Sequence, residues 1–458
     1  MVSTVTGKAL REVTHPSYQA WSYASLIDSY NQEVYDRNVG LYPCAFLHNY
    51  DLTDSDPINS EQYKDYINAA PMFGSKDFEK LRNFIKKIVT EGDDKEGLYI
   101  IENAKTKPSK KLQDSFSSVL KGNKEFVLID DQKVIFEEAL RIGVNAHLHN
   151  EKSVLIVEGC PGTGKSVLAI NLLKQFLNRS FNSFYVTKNS ASREVFKAKL
   201  KIDKMSGLNN LFKGSGSFYD CESNSFDVLI VDEARRLNKK SGLFSNLGEN
   251  QIKEIINSSM FSIFFIDENQ RVTLKDNGSI DEIKKYARYY NAGIHKMKLK
   301  SQFRCDGSDG YLAWLDNVLE IRETANFDLD NKYDFKVFDD PNDLRQAIVE
   351  KNKINNKSRL VAGYCWYWIS EGKNKTDIYD ITIPEYDFGM SWNLGNSSTW
   401  AIDKESVNEV GCIHTCQGLE FDYVGVIIGD DIRYENGHIV TDYTKRAKTD
   451  QSIKGIKK

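Results

Sequence analysis

The stretch S-V-L-I-V-E-G-C-P-G-T-G-K-S-V-L-A, residues 153–169, decides the fold of this chain. Residues 153–157 form a short apolar run with β-branched side chains, which is typical of a buried parallel strand. Residues 159–166 then fit the pattern G-x-x-x-x-G-K-[ST] at every fixed position, and 167–176 have the periodicity of a helix. Backbone N–H groups of such a loop surround phosphate oxygens, and the helix N-terminus adds partial positive charge. The stretch predicts a binding loop for a nucleoside triphosphate.

The residue types in this loop suit ATP bound with Mg²⁺. The lysine, Lys165, is expected to reach the β- and γ-phosphates, and the hydroxyl of Ser166 is expected to ligate Mg²⁺. The plain alternative is a glycine turn between a strand and a helix, which the complete set of fixed positions disfavours. The predicted nucleotide-binding residues of the loop are Gly159, Gly162, Thr163, Gly164, Lys165 and Ser166.

A second motif supplies the acidic groups that this chemistry needs. Residues 226–231 are an apolar strand that ends in Asp232 and Glu233. At that position Asp232 is predicted to lie beside Mg²⁺, while Glu233 orients and deprotonates the attacking water. Two acids at the end of a strand do not decide the assignment alone, but their place after a phosphate loop makes them a Walker B element.

Composition bounds the class of protein. The chain has 458 residues, of which 40% are hydrophobic and 28% charged, so two or three soluble domains are expected. A net charge of −4 gives no general attraction to nucleic acid or membrane, although a basic cleft is still compatible with it. No apolar run is long enough to span a bilayer and the start lacks a signal peptide. The 7 cysteines lack disulfide or zinc spacing. We therefore expect a cytoplasmic protein without a membrane partner.

Three further motifs follow along the chain. An apolar strand at 260–266 ends in D-E-N-Q, residues 267–270, and S-Q-F-R follows at 301–304. A second α/β unit contains H-T-C-Q-G-L-E, residues 414–420, between two apolar strands. The D-E-N-Q segment can also be read as a polar turn.

Together with the phosphate loop and L-I-V-D-E-A, these motifs resemble the bacterial ATPase/helicase family with a Schlafen-type, superfamily 1 helicase domain. The resemblance implies action on single-stranded DNA or RNA. It also implies contacts of Gln270 and Arg304 with the γ-phosphate and of Gly418 and Glu420 with the nucleotide. Gln132, upstream of the loop, matches the glutamine with which superfamily 1 helicases recognise adenine, since one side-chain amide can both donate and accept a hydrogen bond. The alternative is a glutamine that faces solvent. The resemblance also implies that nucleic acid lies beside His414, Thr415 and the strand end at 189–193. The polar residues at 189–193 are equally compatible with the start of a helix.

Residues 1–120 have a different character. Gln19 and Tyr23 match the Q-x-x-x-Y element of RecB-type nucleases of the PD-(D/E)xK fold, but the metal-binding carboxylates that should precede them are absent. This segment is therefore expected to be a catalytically inactive nuclease-like remnant. Its predicted elements are a helix at 15–30, a strand at 42–50, a helix at 75–89, a strand at 98–102 and a surface linker at 107–111.

The predicted class is α/β, with two RecA-like P-loop lobes built on parallel sheets. The first lobe is placed at 121–298 and the second at 299–458. The H-T-C-Q-G-L-E segment resembles motif V of superfamily 1 helicases, and the second lobe is expected to be incomplete because no motif VI arginine, which in those helicases contacts the γ-phosphate, follows that segment. Slow hydrolysis without unwinding is expected for that reason. One alternative is a nucleotide-binding switch, or a truncated remnant, that does not hydrolyse ATP and acts through partner binding. The other is an AAA-type assembly ATPase, which motif V disfavours.

Overall fold

The computed structural model forms two compact units. The first comprises Met1–Lys121, Lys174–Asn182 and Ile202–Leu211, and the second comprises Gly122–Leu173, Ser183–Lys201 and Phe212–Lys458. The structure describes residues 2–6, 9–92, 96–107, 109–120, 128, 130–202, 206–242, 246–271, 273–299, 309–325, 327–329, 333–369, 378–392, 399–416, 419, 421–450, 452–453 and 456.

The first unit is mainly helical, with two small pairs of strands. Its longest helix starts where Pro16 occupies the first turn and the imidazole of His15 accepts the N–H of Ser17 at 3.2 Å, which caps a free donor. Its helices are α1 (Pro16–Tyr30), α2 (Gln32–Asp36), α3 (Lys64–Ala69), α4 (Phe78–Ile88), α5 (Glu96–Glu102) and α6 (Lys110–Leu120). Its strands are the antiparallel pair β1 (Val2–Thr6) and β2 (Ala9–Val13) and the parallel pair β3 (Ala45–Leu47) and β4 (Met72–Gly74).

Three sequence predictions for this unit were wrong. Residues 98–102 belong to helix α5 rather than a strand, because a short apolar run does not distinguish the two. The buried strand predicted at 42–50 is shorter than expected, since only Ala45–Leu47 form a strand, β3, and β3 is half exposed. The segment at 107–111 is not a surface linker, since Ser109 is buried and its N–H donates to the carbonyl of Ser29 at 2.8 Å. On α1, the Gln19 amide donates to the Tyr23 hydroxyl at 3.0 Å, and the nuclease resemblance stays a prediction.

The second unit contains a six-stranded parallel sheet in the order β10-β5-β9-β8-β6-β7. Its strands are β5 (Ser153–Gly159), β6 (Ser183–Thr187), β7 (Phe212–Gly214), β8 (Phe226–Val231), β9 (Ser259–Ile266) and β10 (Gly293–Leu299). The central strands are apolar on both faces because helices cover them, as a parallel sheet requires. The helices of this part are α7 (Asp130–His149), α8 (Lys165–Asn178), α9 (Ser190–Lys199), α10 (Gln251–Ser258) and α11 (Ile280–Tyr289). The predicted α/β class is confirmed.

Helix α8 shows how the sequence fixes this packing. Leu168 and Leu172 lie four residues apart and are fully buried, so one stripe of the part of the helix in the second unit faces the core. The same stripe fixes the first turn of α8, which carries Lys165 and Ser166, at the carboxyl end of β5.

A second parallel sheet of three strands, in the order β14-β11-β15, follows later in the same unit. Its buried core contains Trp392, Ile348 and Leu360. The strands are β11 (Ser358–Ala362), β14 (Val410–Gly411) and β15 (Tyr423–Ile427). The accompanying elements are α12 (Asp309–Val318), α13 (Pro341–Asn355), α14 (Ile413–Cys416) and the hairpins of β12 (Ile381–Ile383) with β13 (Phe388–Met390) and β16 (Ile432–Glu435) with β17 (His438–Thr441).

Among the helices that the structure describes, none combines the length and the apolar character needed to cross a bilayer. The predicted domain boundaries stay predictions.

Candidate nucleotide-binding site

The loop between β5 and α8 depends on two glycines. Gly162 and Gly164 have φ angles of +80° and +76°, in the left-handed region that side chains with a Cβ disfavour. A Cβ at Gly164 would also lie 2.0 Å from the Nε2 atom of Gln132. The conformation that turns the loop back toward the helix is therefore available only to glycine at position 164.

Lys165 points its ammonium group into the loop. Its Nζ atom donates to the carbonyl oxygens of Gly159 at 2.7 Å and Cys160 at 2.9 Å. These contacts hold the positive charge over the concave side of the loop, where the sequence pattern predicts phosphate.

Gln132 and Thr163 support the loop from within. The Gln132 side chain, which comes from α7 and is only 3% exposed, donates from Nε2 to the carbonyl of Thr163 at 3.1 Å. The Thr163 hydroxyl donates in turn to the carbonyl of Cys160 at 2.9 Å. A solvent-facing position for Gln132 is thus wrong, while its contact with adenine stays a prediction.

Ser166 meets Asp232 at the carboxyl edge of the sheet. The serine Oγ atom donates to Oδ2 of Asp232 at 2.5 Å, although the two residues follow different strands, β5 and β8. Asp232 is only 2% exposed. A hydroxyl and a carboxylate oxygen that converge in this way are hard oxygen ligands, which fit Mg²⁺.

Glu233 follows with an unusual backbone. Its φ of +52° places it in the left-handed region, and its N–H donates to Oδ1 of Asp232 at 2.9 Å. A glutamate in that region costs on the order of 1–3 kcal/mol and is found mostly where function requires it.

Sequence reasoning missed two residues at this edge. Asp267 follows β9, which lies between β5 and β8, and is 6% exposed. Burial raises the pKa of its carboxyl, an effect that the positive charge of Lys165 partly offsets. Tyr185 on β6 donates its hydroxyl to Oδ2 of Asp232 at 2.6 Å, and burial together with that carboxylate raises its pKa well above the ordinary value. Asp267 stood in the quoted D-E-N-Q segment, whereas no sequence signal marked Tyr185.

Of the other predicted site residues, Gln270 lies within the described part of the chain and three do not. Gln270 lies in the half-buried turn after Asp267, whose carbonyl accepts its N–H at 3.2 Å. Arg304, Gly418 and Glu420 lie outside the described residues, so their roles stay predictions. The strands β14 and β15 lie before and after the segment 414–420, as expected. Within this segment the hydroxyl of Thr415 donates to the carbonyl of Cys412 at 2.8 Å.

The strand end at 189–193 serves mainly to start α9. The side chain of Asn189 caps the helix by accepting the N–H of Ala191 at 3.1 Å, and Ser192 is buried. Arg193 donates to the carbonyl of Thr187 at 2.7 Å. These contacts favour the polar helix start over a phosphate-binding role in this conformation.

A buried charge cluster ties three of the site's loops together. Asp276, whose side chain is fully buried, pairs with Lys188 at 3.0 Å and with Arg236 at 3.1 Å. Its carboxylate also accepts the N–H and hydroxyl of Thr273 at 2.9 and 2.8 Å. Burial alone would raise the pKa of Asp276, but Lys188 and Arg236 outweigh it and lower that pKa. The loops after β6, β8 and β9 are thereby held together.

We expect Asp276→Asn to lower the free energy of unfolding by about 2–4 kcal/mol, because it leaves Lys188 and Arg236 without their buried counter-charge. Denaturant unfolding at neutral pH measures the loss. The matched control is Glu350→Gln, which breaks an exposed pair with Lys353 and should leave the midpoint close to that of the parent chain.

The pH dependence gives a second check on Asp276. A carboxyl whose pKa is lowered by folding contributes stability above its unfolded pKa and loses it as the pH falls through the folded value. The difference between the parent chain and Asp276→Asn should thus be constant near neutrality and shrink below about pH 4. Equal midpoints for the two at neutral pH would contradict a stabilising role for this carboxylate.

The sheet and its edge define the class of protein. A parallel sheet that carries a glycine-rich phosphate loop after β5 and an acidic pair after β8 is a P-loop NTPase fold. The family model for the Schlafen group 3, DNA/RNA helicase domain matches residues 152–458. The chain belongs to this family.

The chain is also similar to individual proteins. It is 26% identical to the uncharacterized protein YPL245W of Saccharomyces cerevisiae over 321 residues, which are 62% of this chain and 69% of that protein. Among solved structures it matches the Pif1 helicase from Candida albicans with 15% identity and a TM-score of 0.29, over 57% of this chain and 59% of that chain. It matches AMPPCP-bound DnaA from Aquifex aeolicus with 14% identity and a TM-score of 0.22, over 43% and 55%. The matches span little more than half of these solved chains.

Proposed function

We propose that this chain binds ATP with Mg²⁺ and hydrolyses it in a cycle that depends on single-stranded DNA or RNA. The observation that carries the proposal is the convergence of Lys165, Ser166 and Asp232 at one edge of the sheet. The 2.5 Å contact between Ser166 and Asp232 joins the phosphate loop to the acidic pair although the two motifs are distant in sequence. Membership of a helicase-domain family supports the same cycle.

The roles follow from the chemistry of each side chain. Lys165 exchanges its two loop carbonyls for the β- and γ-phosphates, because phosphate oxygens carry more negative charge than carbonyls. Ser166 and Asp232 hold Mg²⁺, which neutralises charge on the phosphates when bound. Glu233 orients the attacking water and accepts its proton.

Two further side chains complete the proposed phosphate site. The side chain of Gln270 senses the γ-phosphate from the turn after β9, and Arg304 stabilises the charge that develops on it during transfer. Gly418 and Glu420 contact the nucleotide. These assignments rest on the resemblance of the motifs to superfamily 1 helicases.

Nucleic acid is proposed as the partner that stimulates turnover. The support is the family, since its model describes a DNA/RNA helicase domain, and the motif V segment that connects β14 to β15. The chain's net charge of −4 means that a local surface, rather than the overall field, has to supply the attraction to phosphate.

A steady-state ATPase assay on the full chain tests the proposal. The assay compares no nucleic acid, single-stranded DNA, single-stranded RNA and duplexes, at constant salt because phosphate contacts are salt-dependent. Stimulation by one single strand supports the proposal and identifies the partner. Tight ATP binding without turnover on any nucleic acid would instead support a nucleotide-binding switch.

A further inference from the structure

Tyr185 has a hydrogen bond that neither packing nor the proposed roles require. Tyr185 lies on β6 and pairs with Ile230 of β8. Ile230 is two residues before Asp232. Its ring is fully buried and packs against Phe196 and Phe212, with centroid distances of 5.8 and 5.5 Å. Phenylalanine would fill this space equally well, and burying a hydroxyl is costly unless it is hydrogen-bonded. The partner of this hydroxyl is Asp232, at 2.6 Å.

The Asp232 carboxylate is held by donors from three directions. Its Oδ1 atom accepts the N–H of Glu233, and its Oδ2 atom accepts the hydroxyls of Ser166 and Tyr185. The N–H of Asp232 donates to the carbonyl of Val186 at 2.8 Å, which fixes the backbone of Asp232 beside β6 and leaves the orientation of its side chain to the donors around the carboxylate. The hydroxyl of Tyr185 comes from a neighbouring strand of the rigid sheet, whereas Ser166 lies in the first turn of α8, next to the phosphate loop.

We propose that the hydroxyl of Tyr185 is a positioning group that holds the Asp232 carboxylate in the orientation from which it binds the Mg²⁺ of the nucleotide complex. This inference rests on the proposed function and extends it by one residue. In the proposed site Ser166 turns its oxygen to the metal, and Tyr185 touches neither metal nor nucleotide. Tyr185 then acts only through Asp232, and it keeps one lone pair of Oδ2 occupied so that the remaining ones face the metal.

The test is the Mg²⁺ dependence of nucleotide binding by the full-length chain carrying Tyr185→Phe. A fluorescent, non-hydrolysable ATP analogue is titrated in EDTA and at rising Mg²⁺. We expect the half-saturating Mg²⁺ concentration to rise about tenfold, since a hydrogen bond to a charged group is lost, while binding in EDTA changes by less than about twofold. Coincident Mg²⁺ curves for the parent and the variant would overturn the proposal.

Two further variants separate positioning from packing. Tyr30→Phe removes a hydroxyl from another buried ring and should leave the Mg²⁺ curve unchanged. Phe212→Leu disturbs the packing of the Tyr185 ring but keeps its hydroxyl, so it should lower the melting temperature without moving the curve. A shift as large as that of Tyr185→Phe would show that packing, not the hydroxyl, sets the metal affinity.

The double variant with Asp232→Asn identifies the route of the effect. If Tyr185 acts through Asp232, adding Tyr185→Phe to Asp232→Asn leaves the Mg²⁺ curve of Asp232→Asn in place, because effects within one network are not additive. Additive shifts would overturn the proposal. Failure of the parent chain to bind any nucleotide would overturn the proposed function itself, whereas binding that ignores Tyr185→Phe overturns only this inference.

Discussion

Lys165→Ala is expected to lower the affinity for ATP by on the order of 100-fold, because a charge-assisted contact with two phosphates is lost from a site otherwise built of backbone dipoles. The lysine already bonds the carbonyls of Gly159 and Cys160, so its charge is held at the loop before nucleotide arrives. The preorganised charge adds attraction without a large cost of ordering the side chain. A fluorescent ATP analogue measures the affinity at saturating Mg²⁺.

A control for this prediction lies further along the same helix. Lys174→Ala removes a positive charge from α8 outside the phosphate loop, and its affinity for ATP should match that of the parent chain. Lys165→Arg keeps the charge but not the compact ammonium and should fall between the two. Tight ATP binding by Lys165→Ala would show that the loop does not hold the triphosphate as proposed.

The parts of the site that could be read from the sequence are those that a short segment encodes by itself. Gly162 and Gly164 were predictable because glycine takes their positive-φ conformation without the strain that a Cβ adds. Asp232 and Glu233 were predictable because an apolar run ending in two acids is a local pattern. Each of these positions depends on residues within one strand and the loop that follows it.

The parts that could not be read depend on which strands become neighbours. Tyr185 reaches Asp232 only because β6 pairs with β8, and Asp267 lies beside Lys165 only because β9 separates β5 from β8. The strand β10 alternates exposed and half-buried residues, which gives a weaker signal than the central strands. Helix α5 shows the opposite error, since its apolar run suggested a strand, whereas the residues form a helix on which Tyr99 is 68% exposed.

Glu233→Gln is expected to reduce the rate of ATP hydrolysis by roughly 10²–10⁴-fold, the usual contribution of a general base, while ATP affinity changes little. Glutamine has the same length and keeps the backbone N–H that donates to Oδ1 of Asp232, so the metal carboxylate stays in place. The amide, unlike the carboxylate, does not accept the proton of the attacking water. Glu233→Gln is therefore expected to lose hydrolysis but keep nucleotide binding, whereas Lys165→Ala is expected to lose nucleotide binding.

Single-turnover hydrolysis and nucleotide binding, measured on the same preparation, test the Glu233→Gln prediction. Glu249→Gln is the matched control, because it makes the same chemical change at an exposed ion pair with Lys253 and should leave both measurements unchanged. Equal loss of binding in Glu233→Gln and Lys165→Ala would mean that Glu233 supports the nucleotide rather than the water. Hydrolysis at the parent rate would move the role of general base to another acid at this edge. Asp267 is the first candidate, because its carboxyl is buried near Lys165 and its pKa is raised.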